Sequence, residues 1–132
     1  MIAADTSSWI AFLEGGTGDD VQLLDRALDD CQVVMVPVVL TELLSDESLP
    51  SHVVKAILDL PLLEVASGYW RRAGALRAKV LATGRKARLG DALIAQSCID
   101  QRIPLITRDR DFRAFAVAAK LNLVLGAGAH RP

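Results

Sequence analysis

Short apolar runs alternate with longer segments of helical periodicity along this chain. The runs are rich in aliphatic and β-branched residues, which favour strands, and they lie at residues 1–4, 33–36, 62–65, 104–107 and 122–125. A strand that is apolar over its whole length must be covered on both faces. The β-α-β order therefore predicts an α/β fold of three layers, with a short central parallel β-sheet flanked by helices.

The length of 132 residues suits one domain, which we predict to span residues 1–132. Hydrophobic residues make up 52% of the chain, so enough apolar surface is available for a substantial core. We predict one helix that ends at residue 13 and one that starts at residue 19 or 20. Further helices are predicted at residues 38–45, 51–58, 69–83, 90–101 and 113–121, and the tail at 126–132 is predicted to lack regular structure.

Acidic residues lie where predicted strands end or helices begin, each framed by apolar neighbours. They are Asp5, Glu42, Asp91, Asp109 and Asp111. Carboxylates held against an apolar core are unfavourable unless something offsets their charge, and a divalent cation that prefers oxygen ligands can offset several at once. Ligand sites of parallel sheets gather at the carboxyl ends of the strands, where these acids would converge. The pattern favours a metal-dependent enzyme.

Each of these acids also has a purely structural explanation. Asp5 and Asp91 suit the first turn of a helix, where a carboxylate caps backbone N–H groups or complements the helix dipole. Asp109 and Asp111 suit a turn, and a helix could point Glu42 into solvent. A shared metal site accounts better for all of them falling at one edge of the sheet.

Charge is divided unevenly along the chain, although the formal net charge is only −1. Residues 1–66 hold two basic residues against twelve acids, a net of −10, whereas residues 67–132 hold thirteen against four, a net of +9. This separation indicates a basic face for an anionic partner. We predict RNA-phosphate contacts from Arg71, Arg72, Arg77, Lys79, Arg85, Lys86 and Arg88, with Arg108 and Arg110 extending the surface.

The same basic helix has an ordinary structural interpretation as a solvated face. Its buried stripe is then predicted to contain Trp70, Ala73, Leu76 and Val80. Tyr69 and Trp70, at its start, could instead stack on unpaired bases. We expect Trp70 to lie in the core.

Four motifs resemble those of the PIN domain, and their length and spacing are similar to VapC-type toxins of bacterial toxin–antitoxin pairs. They are Asp-Thr-Ser-Ser-Trp-Ile at 5–10, Thr-Glu-Leu at 41–43, Gly-Asp-Ala-Leu-Ile-Ala at 90–95 and Leu-Ile-Thr-Arg-Asp-Arg-Asp-Phe at 105–112. The resemblance implies an endoribonuclease that depends on Mg²⁺ or Mn²⁺ and is neutralised by a cognate antitoxin. The catalytic acids of the family correspond to Asp5, Glu42, Asp91 and Asp109.

Mg²⁺ keeps several bound waters and needs few protein ligands. We therefore expect Asp5 and Asp91 to bind the ion directly, with Glu42 and Asp109 binding a second ion or orienting metal-bound waters. Asp111 could join them, but we expect it to shape the turn before Phe112.

Two other functions remain open from the sequence. A Mg²⁺-dependent phosphatase or phospho-receiver domain also gathers aspartates at strand ends, but it requires a suitably placed lysine, and neither Lys79 nor Lys120 fits well. A PIN-like binding module without nuclease activity would keep the fold and lose the chemistry. Metal-free RNA cleavage usually depends on paired acid–base groups, and His52 and His130 are the only histidines of the chain.

The remaining sequence features concern location and partners. Cys31 and Cys98 are predicted to be buried free thiols in a reducing cytoplasm. No apolar run reaches the roughly 18 residues that a membrane span requires, so no membrane association is expected. Apolar helical residues at 38–44 and 53–58 could form a groove for an antitoxin helix and a homodimer interface, the latter being usual in the family.

Overall fold

The computed structural model describes residues 1–125, so the predicted tail at 126–132 lies outside the described residues. No helix among the described residues is both long enough and apolar enough to cross a membrane. The elements in chain order are β1 (Ala3–Ala4), α1 (Thr6–Leu13), α2 (Asp19–Asp29), α3 (Pro37–Leu44), α4 (Ser51–Leu58), α5 (Tyr69–Ala82), α6 (Leu89–Gln101), β2 (Leu105–Thr107), α7 (Phe112–Ala118) and β3 (Leu123–Leu125).

The central sheet is parallel and has the strand order β1-β2-β3. Ala3 of β1 lies opposite Leu105 of β2, which in turn lies opposite Leu123 of β3. This register places the carboxyl ends of β1 and β2 side by side. Asp5 and the loop that follows Thr107 are thereby brought to one edge of the sheet.

The strands predicted at 33–36 and 62–65 are reduced to isolated parallel bridges. Val33 pairs with Ile2, and Met35 pairs with Leu62, so the two segments extend the sheet beyond β1 by single pairings. Prolines limit these pairings: Pro37 starts α3 directly after the first segment, and Pro61 has no N–H to donate to a neighbouring strand. The prediction of continuous strands at these two places is therefore wrong.

Two groups of helices flank the sheet. Helices α1 and α2 pack together, α5, α6 and α7 form the second group, and α3 contacts both α1 and α6. The largest fully buried side chains include Trp9 of α1, Leu24 of α2, Ile106 of β2 and Phe112 of α7. The core thus lies between the sheet and its helices, which confirms the predicted three-layer α/β fold.

Helix α5 buries a different aromatic residue from the one predicted. Tyr69 is buried and donates its hydroxyl proton to the carbonyl oxygen of Leu93 at 2.6 Å, whereas the side chain of Trp70 is 63% exposed. The buried stripe is Tyr69, Ala73, Leu76 and Val80, a spacing of four, three and four residues. The prediction that Trp70 lies in the core is wrong, because the helix turns Tyr69 toward α6 instead.

The two cysteines are both free, but only Cys98 is buried. Cys31 is exposed in the turn after α2, where its backbone has the positive φ of 55°. The turn holds Cys31 at the surface, so the prediction of a buried thiol is correct for Cys98 and wrong for Cys31.

Candidate metal centre

Three of the predicted acids form a cluster at the carboxyl end of the sheet. Asp91 lies in the first turn of α6, and Asp109 and Asp111 lie in the loop between β2 and α7. One carboxylate oxygen of each lies within 4.8 Å of the corresponding oxygens of the other two. Like charges at this separation repel, and a cation bound between them would relieve the repulsion.

Asp91 carries the clearest sign of such a partner. Its Oδ2 is buried without a hydrogen-bond donor among the described residues. Burial raises the pKa of Asp91 to about 6, with added repulsion from Asp109 and Asp5 and a partial offset from Arg88. Carboxylate oxygens, one of them buried and without a donor, are the ligands that a hard divalent cation prefers. The residues present therefore fit a metal ion.

Asp5 lies next to this cluster and also caps α1. The side chain is 2% exposed, and Oδ1 accepts the backbone N–H of Ser8 at 3.0 Å. The hydroxyl of Ser7 lies within 2.9 Å of both carboxylate oxygens. Burial raises the pKa of Asp5, although hydrogen bonds from Thr107, Ser8 and Ser7 partly offset the effect and repulsion from Asp109 adds to it. Asp5 therefore caps α1 and also belongs to the acidic site.

Thr107 connects the acids across the sheet, a role that sequence reasoning missed. Its hydroxyl donates to Asp5 Oδ2 at 2.7 Å and accepts the backbone N–H of Asp109 at 3.0 Å. The residue is completely buried at the end of β2. A threonine that ends an apolar strand beside acidic residues is the signal that could have identified it, since a buried hydroxyl needs partners.

Glu42 approaches the cluster from α3. Its side chain is exposed, and its Oε1 accepts the hydroxyl proton of Thr6 at 2.7 Å. A Cβ placed on Gly90 would lie 3.9 Å from both Glu42 carboxylate oxygens. Since Gly90 precedes Asp91 directly, the start of α6 brings Glu42 beside the cluster. Asp5, Asp91, Asp109 and Asp111 thus interact at this edge of the sheet, and Glu42 lies beside the residue that precedes Asp91.

The turn before Phe112 is shaped by Asp109, whose carboxylate also belongs to the cluster. Asp109 Oδ1 accepts the backbone N–H of Asp111 at 2.9 Å, so Asp109 shapes the turn. Asp111 precedes α7 but makes no capping hydrogen bond with its side chain. Its carboxylate lies in the acidic cluster, with Asp111 Oδ2 at 3.9 Å from Lys86 Nζ. This placement favours the alternative in which Asp111 joins the metal site, and the role of Asp111 stays a prediction.

Comparison with known proteins now decides the family. The family model described as PIN domain matches residues 2–118. The chain belongs to the PIN domain family. This PIN domain is 28% identical to "Ribonuclease VapC5" of Mycobacterium tuberculosis over 126 residues, which cover 91% of each chain. The resemblance stated from the motifs is thereby confirmed.

Solved structures share the fold of this PIN domain. A chain of the VapBC-5 toxin–antitoxin structure from Mycobacterium tuberculosis superposes with a TM-score of 0.67 at 23% identity, covering 94% of this chain and 97% of that one. A chain of VapBC2 from Rickettsia felis, bound to a promoter DNA fragment, gives a TM-score of 0.70 at 20% identity. That match covers 96% of this chain and 99% of the other.

Two of the arginines predicted to contact RNA form ion pairs inside this PIN domain. Arg72 donates through Nε and Nη2 to the two carboxylate oxygens of Asp100 at 3.0 and 2.6 Å. Arg108 pairs in the same two-pronged way with Asp20, at 2.8 and 3.0 Å. A guanidinium whose Nε and Nη2 donate to a carboxylate has fewer protons to offer a phosphate. We therefore leave Arg72 and Arg108 out of the RNA surface proposed below.

The other predicted basic residues differ in exposure. Arg77 is partly buried and donates its Nε proton to the carbonyl oxygen of Ala87 at 2.8 Å, which ties α5 to the segment before α6. A cavity of about 380 Å³ opens between α5 and α7 and includes Lys79 and Arg85 in its lining. The remaining predicted RNA contacts are exposed, and we call them the basic patch: Arg71, Lys79, Arg85, Lys86, Arg88 and Arg110.

Proposed function

We propose that this PIN domain is an endoribonuclease that depends on Mg²⁺ or Mn²⁺ and hydrolyses RNA phosphodiester bonds. The observation that carries the proposal is the cluster of Asp91, Asp109 and Asp111, within which the buried Asp91 Oδ2 has no donor among the described residues. The relative named Ribonuclease VapC5 aligns along 91% of the chain and supports the substrate class.

The acidic residues divide into those that hold the ion and those that support them. Asp91, Asp109 and Asp111 would hold a divalent cation, with Asp5 beside them, and such an ion supplies charge neutralisation and water activation for phosphodiester hydrolysis. Glu42 is exposed at the rim of the cluster, where its carboxylate can accept a proton from an attacking water. Asp5 accepts hydrogen bonds from Ser7, Ser8 and Thr107, which partly offset the effect of burial on its pKa, and it lies close to Asp91 and Asp109.

The basic patch supplies the path for the RNA backbone. Lys86 lies at 3.9 Å from Asp111 and so joins the patch to the acidic cluster. Arg88, which lowers the pKa of Asp91 through its charge, lies at the same junction. A single strand that follows the patch would therefore place a phosphate next to the cluster. The exposed ring of Trp70 at the start of α5 offers a surface on which a base can stack.

The same proposal makes this chain the toxin of a toxin–antitoxin pair, working in the cytoplasm. Its relatives of similar fold include structures of toxin–antitoxin complexes. A largely apolar cavity of about 210 Å³ lies between α1, α2 and α4 and includes Phe12, Leu28 and Val53 in its lining. The cavity suits the apolar face of a helix from a cognate antitoxin, and a homodimer is the assembly that the family resemblance implies.

Incubation of the purified protein with RNA tests the proposal. With Mg²⁺ or Mn²⁺ we expect cleavage that leaves 5′-phosphate ends, and with EDTA we expect none. Asp91→Asn should abolish cleavage without loss of the fold, whereas Asp25→Asn, which changes an exposed acid on α2, should cleave normally. Cleavage in EDTA, or products with 2′,3′-cyclic phosphate ends, would contradict the metal-dependent mechanism.

Two further assays on the purified protein distinguish the nuclease from the alternative functions. A phosphatase or phospho-receiver domain would acquire an acid-stable phosphate on Asp5, a residue whose carboxylate is instead engaged by hydroxyl and backbone donors. A binding module would retain RNA and leave it intact when Mn²⁺ is present.

A further inference from the structure

An ion pair joins the buried Asp20 to Arg108, whose side chain is 38% exposed, and it takes no part in the proposed chemistry. Arg108 Nη2 donates to Asp20 Oδ1 at 3.0 Å and to the carbonyl oxygen of Thr17 at 2.8 Å, while its Nε donates to Asp20 Oδ2 at 2.8 Å. The hydroxyl of Ser8 also donates to Asp20 Oδ2 at 2.8 Å. We call these four residues, Ser8, Thr17, Asp20 and Arg108, the anchor.

Asp20 is fixed in this anchor and ionised. Its side chain is 2% exposed. Burial by itself raises the pKa of Asp20, but the hydrogen bonds from Arg108 and Ser8 more than offset burial, so the pKa lies below its usual value. A buried carboxylate that is fully paired differs from the exposed pairs common on protein surfaces, which stabilise little.

The backbone beside the pair is shaped to admit it. Gly18 has φ of +138°, and a Cβ at this position would lie 2.6 Å from Asp20 Oδ1 and 3.0 Å from Arg108 Nη2. Any side chain there would strain the backbone and collide with both partners. At Gly18 the loop between α1 and α2 thus lies directly against Arg108 Nη2 and Asp20 Oδ1.

The anchor reaches the acidic cluster at two points. Arg108 lies between Thr107 and Asp109, in the loop that carries two of the clustered carboxylates. Ser8 donates its backbone N–H to Asp5 Oδ1 and its hydroxyl proton to Asp20 Oδ2. The anchor is therefore continuous with both Asp5 and the Asp109 loop.

We propose that the Asp20–Arg108 pair is a positioning device that holds the loop at residues 108–111 against the mutual repulsion of the clustered carboxylates. Without the pair, Asp109 and Asp111 can move away from Asp91, and the cluster loses affinity for its ion. This inference rests on the proposed function for the identity of the cluster as a metal centre. It assigns Arg108 a role through Asp20 and not through RNA.

Arg108→Lys is the decisive variant, because it keeps the positive charge and loses the two-pronged geometry. We expect its dissociation constant for Mn²⁺, measured by calorimetry at a temperature where circular dichroism shows the folded protein, to rise roughly 10- to 100-fold. The kcat should fall while the KM for RNA stays unchanged. Asp20→Asn should have the same effects. The double variant should bind Mn²⁺ no more weakly than the more impaired of the two single variants, because both changes remove the same interaction.

Arg26→Gln is the matched control, since it removes an exposed arginine of α2 outside the basic patch and should leave Mn²⁺ affinity unchanged. If Arg108→Lys has a lower melting temperature but normal Mn²⁺ affinity and kcat, the pair only stabilises the fold and the inference is overturned. A raised KM with normal kcat would instead make Arg108 an RNA contact.

Different results would refute the nuclease function and the positioning role of the Asp20–Arg108 pair. Wild-type protein that binds Mn²⁺ but leaves RNA intact refutes the nuclease function, while the Mn²⁺ affinities of the variants still decide the role of the anchor. Wild-type protein that binds no Mn²⁺ refutes both proposals.

Discussion

The hydroxyl of Thr107 donates to Asp5 Oδ2 at 2.7 Å, joining residues 102 positions apart in the chain. The same oxygen accepts the N–H of Asp109, so one buried hydroxyl connects the ends of β1 and β2 to the loop that carries the acids. The alignment of the acidic site thus depends on a neutral side chain that binds no ion itself.

Thr107→Val should destabilise the protein, because the nearly isosteric side chain leaves a buried carboxylate oxygen without this donor. We expect the free energy of unfolding to fall by about 1–3 kcal/mol. Urea denaturation in EDTA measures it, and Thr107→Ser, which keeps the hydroxyl, is the control. Equal losses in the two variants would show that the missing methyl contacts, and not the hydrogen bond, are responsible.

Asp91→Asn should stabilise the protein when no metal is present. Its folded-state pKa of about 6 lies above the ordinary 3.8, so the folded protein is penalised once Asp91 ionises, and this penalty grows as pH rises from 4 to beyond 6. Because Asp91 is only partly buried, solvent screens part of this penalty, and we expect a gain of about 1–2 kcal/mol at pH 7. Thermal unfolding in EDTA at pH 7 measures the effect, and a lower melting temperature for the variant would contradict it.

Mn²⁺ affinity should fall as the pH is lowered through about 6. A cation binds ionised carboxylates, and protons compete for Asp91, whose pKa is raised to about 6, and for Asp5, whose pKa is also raised. Below pH 6 we expect a loss of about tenfold in affinity for each pH unit from Asp91 alone. Calorimetric titrations between pH 5 and pH 7.5 test this expectation, which an affinity independent of pH over that range would refute.

Lys86→Gln should weaken RNA binding without changing Mn²⁺ affinity. The side chain is exposed at the junction of the basic patch and the cluster, so its loss should raise KM and reduce the salt dependence of binding by about 0.7 in logarithmic slope. Fluorescence titration of single-stranded RNA at several salt concentrations, in EDTA to prevent cleavage, provides the slope.

Arg72→Gln is the contrasting control for that measurement. Because Arg72 is paired with Asp100, the change should lower the melting temperature and leave the salt slope unchanged. A slope that drops equally in both variants would place Arg72 in the RNA surface after all.

The order of strands and helices could be read from the sequence, and so could the convergence of the acids. Both follow from local patterns: apolar runs define strands, and parallel strands present their carboxyl ends at one edge. Asp5 directly follows β1, and Asp109 lies two residues after the end of β2. Because the two strands are parallel, these acids come to the same edge of the sheet. The extent of the domain over residues 1–132 stays a prediction, because the structure describes residues 1–125.

The helical period left the orientation of α5 ambiguous. Tyr69 and Trp70 are adjacent, and a stripe through Ala73 and Leu76 can be extended to either of them by a step of four or three residues. Packing against α6 decided the matter, because the hydroxyl of Tyr69 finds the carbonyl oxygen of Leu93 there. A local pattern cannot specify which of two neighbours meets a partner on another helix.

By itself, the sequence determined the α/β order, the family and the set of acids, because each is encoded in short-range patterns of residue type. Only the tertiary structure decided that Asp111 joins Asp91 and Asp109 in the cluster, that Asp109 also shapes the turn, and that Arg108 pairs with Asp20, 88 residues away. Ion pairs and hydrogen bonds act over a few ångströms, so which groups form them depends on how distant segments pack and not on their spacing along the chain.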